Sequence, residues 1–98
     1  MLYTQQQLLN KLRELKPMLN EKYGIKRIGV FGSYATNAQH EKSDVDLLLE
    51  FSRPLGWTYF ELPDILRTLL KVKVDVITKD AIKPRMRNTI LSQTIYVD

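Results

Sequence analysis

Asp44 and Asp46 stand two residues apart at the head of an apolar run that continues to Phe51. If that run is a strand, both acids project from one face, roughly 6–7 Å apart along the chain. Val45, Leu47, Leu49 and Phe51 then line the other face. Two carboxylates side by side call for a positive partner. Their oxygen-only donor set suits a hard divalent cation such as Mg2+. An Asp-rich turn ahead of a strand is the competing account, because Asp and Ser also bond locally to backbone.

Two further features bear on that choice. Gly32-Ser33 closes an earlier apolar run and is separated from Asp44 by ten residues, Tyr34 to Ser43. A strand ending in Gly-Ser aims backbone N–H groups and a hydroxyl in a way that suits a phosphate, and glycine lets the phosphate approach. A plain turn would also use Gly-Ser. The second feature is Asp75, alone among valines in the alternating stretch KVKVDVIT. Val72, Val74 and Val76 take one face of that strand, and Lys73 and Asp75 take the other. If it neighbours the Asp44 strand, Asp75 joins Asp44 and Asp46. An exposed sheet face, or an ion pair with Lys73, would also account for it.

Three carboxylates opposite a Gly-Ser phosphate loop amount to equipment for metal-assisted phosphoryl or nucleotidyl transfer. Two Mg2+ ions about 3.5–4 Å apart can stabilise the attacking and leaving oxygens of an in-line displacement. Asp44 and Asp46 are assigned to the metals, and Asp75 to a further metal position or to the base that takes the acceptor's proton. Gly32 and Ser33 are assigned to the nucleotide phosphates. No stretch offers an acceptor pocket, which suggests a macromolecular acceptor or a partner subunit.

The elements that must position these groups follow from periodicity. Thr4 caps a helix from Gln5 to about Tyr23, with Leu8, Leu12, Leu15 and Leu19 in one stripe. Pro17 should kink or split it, and Gly24 should stop it. Ile25 to Phe31 is the first strand and Asp44 to Ser52 the second. A second helix is expected from Tyr59, capped by Thr58, to about Leu70, with Phe60 in its apolar stripe and Pro63 near its start. Trp57 and Tyr59 are expected at the core or its rim. Lys71 to Thr78 is the third strand, Pro84 to about Gln93 the third helix, and residues 94–97 a short edge strand.

The bulk composition narrows the setting. At 98 residues, with 44% hydrophobic and 27% charged, the chain is expected to form one folded soluble domain spanning 1–98. It contains no cysteine, which excludes disulfides and thiolate zinc sites. There is no apolar run of membrane-spanning length and no signal-peptide layout at the start, so a cytoplasmic protein is expected. Fifteen Lys+Arg against eleven Asp+Glu leave a net charge of +4. The bases are scattered apart from Lys79, Lys83, Arg85 and Arg87, so direct nucleic-acid binding is not expected. His40, the one histidine, reads as a solvated loop residue rather than a base.

Gly32-Ser33, the ten-residue spacer, Asp44-Val45-Asp46 and Asp75 together resemble the polymerase-β-like nucleotidyltransferase superfamily. The short length is similar to its minimal nucleotidyltransferase (MNT) branch. The resemblance implies an α/β fold, a small mixed sheet with helices packed on one face. It also implies Mg2+, ATP, and transfer of AMP with release of pyrophosphate. Many such proteins are antitoxins of HEPN-domain ribonuclease toxins, and some adenylylate a toxin tyrosine. Neutralisation by binding alone, and transfer to a small molecule or RNA, are the alternatives. Many relatives continue Gly-Ser-X-Ala with Arg-Gly where this chain has Thr36-Asn37, which bears on catalytic efficiency.

Overall fold

The computed structural model describes residues 3–97. It opens with helix α1, Gln5–Tyr23, held at its start by a reciprocal capping box between Thr4 and Gln7. Gly24 ends the helix in the left-handed conformation at φ 66°. Pro17 lies within α1 and does not split it, contrary to expectation. Pro17 is exposed, so the carbonyl it leaves without an N–H partner can turn to water.

Strand β1, Ile25–Phe31, pairs antiparallel with β2, Val45–Phe51. β2 pairs in parallel with β3, Val74–Thr78, and β4, Ile95–Tyr96, pairs antiparallel with β1. The sheet is therefore mixed, in the order β3-β2-β1-β4. Parallel pairing of β2 and β3 requires a crossover, and helix α2, Leu62–Leu70, provides it. Helix α3, Pro84–Gln93, leads to β4.

Alternation along the strands separates the two faces. Leu8, Leu12 and Leu19 of α1 and Leu62, Leu66 and Leu70 of α2 pack with Ile28, Val30, Val45, Leu47 and Leu49. The opposite face carries Gly29, Asp46, Leu48, Glu50 and Asp75. α3 contributes no fully buried side chain.

The second helix starts later than its apolar pattern suggests. Gly56–Glu61 forms a 3-10 turn, and Thr58 makes no capping bond. Pro63, without an N–H, sits in the first turn of α2, where a free N–H is not required. The shift turns two aromatics outward: Trp57 is 86% exposed and Phe60 70%, neither in the core. Tyr59 packs partly against the core, edge-on to Phe51.

Candidate active site

Register brings the three acids together. Asp46 lies directly beside Asp75 in the β2–β3 pairing and opposite Phe31 in the β1–β2 pairing. Asp44 immediately precedes β2, where Val45 N–H donates to the Lys73 carbonyl at 2.9 Å and ties the two strand starts. Since β1 runs against β2, its last residue delivers Gly32-Ser33 to the same end of the sheet as the acids.

The carboxyl of Asp46 is half-buried, and its pKa is pushed up to about 6. Burial is the main cause, followed by the charges of Asp75 and then Asp44. Asp75 is exposed on the edge strand. Lys73 pairs with Asp44, Nζ to Oδ2 3.8 Å, and not with Asp75. Among the described residues no three acidic or histidine side chains form a ready metal-ligating cluster. Carboxylates that repel one another have no reason to converge before a cation arrives. The donor set fits a hard divalent ion all the same: oxygen ligands only, with one acid crowded by like charge rather than paired.

Gly32 is required here for two reasons. Its φ is +72°, and a Cβ would run into the Asp46 carboxylate. Asp46 thus occupies the space a side chain would take, so the glycine turn and the acid are built as one unit. After Gly32 the chain makes a single tight turn: Ala35 and Thr36 N–H donate to the Gly32 carbonyl, and Ala38 N–H donates to the Ser33 carbonyl. The turn's backbone bonds use none of the N–H groups of Ser33 or Tyr34. Asn37 adopts φ 59°, a left-handed conformation that Asn tolerates better than most residues. Thr36 points its hydroxyl back to the Gly32 and Ser33 carbonyls, at 3.4 and 3.3 Å.

Two supports were not foreseen. Gln5 Nε2 donates to the Tyr34 carbonyl at 2.8 Å and to the Ala35 carbonyl at 3.1 Å, so the first turn of α1 clamps the Gly-Ser turn. Tyr34 is buried at 1% exposure and anchors the turn in the core. A large aromatic directly after Gly-Ser was the available signal. Gln5 gave none, since its partners lie 29 and 30 residues away. His40 is exposed; its Nδ1 accepts from the Lys42 N–H, as a loop-shaping residue would. Lys79 and the start of α3 follow the end of β3 away from Asp75. Lys79 is four residues on from Asp75, roughly 13 Å along the strand direction.

Residues 12–97 match the nucleotidyltransferase domain family. The chain belongs to that family. It is 50% identical over 88 residues to a Methanocaldococcus jannaschii protein named a putative protein adenylyltransferase, covering 88% of this chain and 90% of that one. A solved minimal nucleotidyltransferase structure, also named as putative, superposes with a TM-score of 0.76 at 32% identity, covering 95% of each chain. The same fold occurs in a complex of tri-AMPylated Shewanella oneidensis HEPN toxin with MNT antitoxin. There the TM-score is 0.64 at 21% identity, covering 97% of this chain and 72% of that one. The family and the mixed α/β fold are those that the Gly-Ser and Asp-X-Asp pattern led us to expect.

Proposed function

We propose that this minimal nucleotidyltransferase transfers AMP from ATP to a protein, a tyrosine of a HEPN-domain ribonuclease, and so acts as that toxin's antitoxin in the cytoplasm. The observation that carries the reading is the meeting of Asp44, Asp46 and Asp75 with the Gly32-Ser33 turn at one end of the sheet. High identity to a relative named for protein adenylylation supports the choice of acceptor.

The Ser33 hydroxyl and the N–H groups of Ser33 and Tyr34 hold phosphate oxygens of ATP. The acceptor oxygen attacks the α-phosphorus, the bond from that phosphorus to the bridging oxygen breaks, and pyrophosphate leaves. Asp75, the one exposed acid of the three, takes the acceptor's proton. Two Mg2+ ions held by Asp44, Asp46 and Asp75 would supply charge stabilisation for the attacking and leaving oxygens. Gln5 and Tyr34 keep the phosphate turn in place. No side chain beyond these has to react, because such transfer depends on positioning and electrostatics.

The outward aromatics Trp57 and Phe60 favour a second reading, in which the chain neutralises its partner by contact alone. Intact mass of the neighbouring gene's product, after incubation with this protein, ATP and Mg2+, separates the two. AMP-sized increments with wild type, absent with Asp44→Asn/Asp46→Asn, are expected. A stable, unmodified complex with both proteins would replace transfer by contact.

A further inference from the structure

Beside Asp44, a cleft of about 260 Å3 opens between residues 41–44 and residues 71–73. Lys42, Lys71 and Lys73 line it, together with Glu41, Ser43, Asp44 and Val72. We propose that this cleft anchors the acceptor by an anionic oxygen group, a carboxylate or a phosphodiester, that flanks the acceptor hydroxyl. The inference rests on the transferase reading above.

Position is the first argument. The Gly32-Ser33 turn follows β1, the cleft adjoins the start of β3, and β2 with its acids lies between them. Neighbouring strands are about 4.8 Å apart, so phosphate turn and cleft stand on opposite flanks of the acids, roughly 10 Å apart. In-line displacement needs the acceptor to enter opposite the leaving pyrophosphate. Triphosphate at the β1 side therefore leaves the β3 side for the acceptor.

Charge is the second. Of the three lysines, only Lys73 has an acid within ion-pair distance among the described residues, Asp44 at 3.8 Å. Lys42 and Lys71 have none there, and three cations outnumber the two acids of the lining. A cleft for a neutral group has no need of them.

The third argument is backbone strain. Lys71 ends α2 at φ 60°, in the left-handed conformation that helices normally give to glycine. A lysine in that conformation is held at a conformational cost, and the residue lines the cleft. Retaining a charged side chain where glycine is cheaper fits a role for the charge.

Lys42→Met and Lys71→Gly, singly and combined, test this in the full chain with the partner protein, ATP and Mg2+. Lys73 is left intact because it contacts Asp44. Glycine suits the backbone at position 71, so the melting temperature of Lys71→Gly should equal or exceed that of wild type, separating loss of charge from misfolding. The expected result is a rise in KM for the acceptor of about fivefold per lysine, with kcat little changed. Counting AMP additions by intact mass then identifies the anion. A slowed first addition assigns it to the acceptor's own acidic residue, whereas slowing of later additions alone assigns it to the phosphodiester of an AMP already attached. Unchanged acceptor KM and unchanged AMP counts in the double variant would overturn the proposal and leave the transferase reading standing. A wild type that adds no AMP would overturn both.

Discussion

Asp46 and Glu50 lie on the same face of β2, four residues apart, and their surroundings differ in kind. Glu50 lies across the sheet from Arg27, Oε2 to Nη1 3.3 Å, and the guanidinium stacks over the Tyr96 ring at 3.6 Å. Asp46 faces Phe31 on one side and another acid, Asp75, on the other. One acid has a resident counter-charge. The other is held in a partly dry place among like charges, an arrangement that costs stability. Such a cost is expected where a group serves chemistry rather than folding.

The largest effect should come from removing the crowded charge. Asp46→Asn is expected to lower AMP transfer at least about a thousandfold. The same substitution should raise stability at neutral pH. A carboxyl whose folded pKa is raised from 3.8 to about 6 binds more protons folded than unfolded in that window. Its contribution is fully present below pH 3.8 and is lost as pH rises through about 6. Wild type should therefore melt below Asp46→Asn at pH 7, with the gap closing near pH 4. Melting curves of both proteins at the two pH values read this directly; a less stable variant at pH 7 would show that Asp46 is a structural acid like Glu50.

Gly32→Ala should come next. The added methyl must displace the Asp46 carboxylate, and alanine at φ +72° adds about 1–2 kcal/mol of strain. Moving an active-site carboxylate by about 1 Å can cost on the order of a hundredfold in rate. Transfer should fall by that order while the protein still folds, measured as kcat beside a denaturant melt. Normal kcat would separate Gly32 from Asp46 and leave only the turn to explain the glycine.

Much of this contrast was legible in the sequence. Alternation placed Asp46 and Asp75 opposite the core positions, because a period of two leaves a half-buried strand little choice of register. The apolar stripe of α1 and its caps located that helix, but its unbroken course through Pro17 was not expected. Interactions between distant residues were not legible. Gln5 reaches Tyr34 only after α1 docks on the sheet, and Lys73 turns to Asp44 only because the β2 and β3 starts are tied together. Trp57 and Phe60 look like core residues by type. The 3-10 turn ahead of Pro63 breaks the helical period that would have pointed Phe60 inward.

The smallest effect should come from the other acid. Glu50→Gln leaves the geometry of β2 intact and removes a charge whose partner, Arg27, is already half-exposed, with 48% of its side chain in solvent. Glu50 Oε2 has no well-aligned hydrogen bond despite the short distance, which limits what the pair contributes. A loss of up to about 1 kcal/mol is expected, shrinking in high salt. AMP transfer should stay within about twofold of wild type. Glu50 pairs with Arg27 and Asp46 with Phe31, two pleats further along β2, roughly 13 Å from one acid to the other. At that distance a screened charge does little to the reacting phosphate. A collapse of transfer in Glu50→Gln would mean that the whole face of β2 acts as one electrostatic unit, and the division between a paired acid for folding and a crowded acid for chemistry would fail.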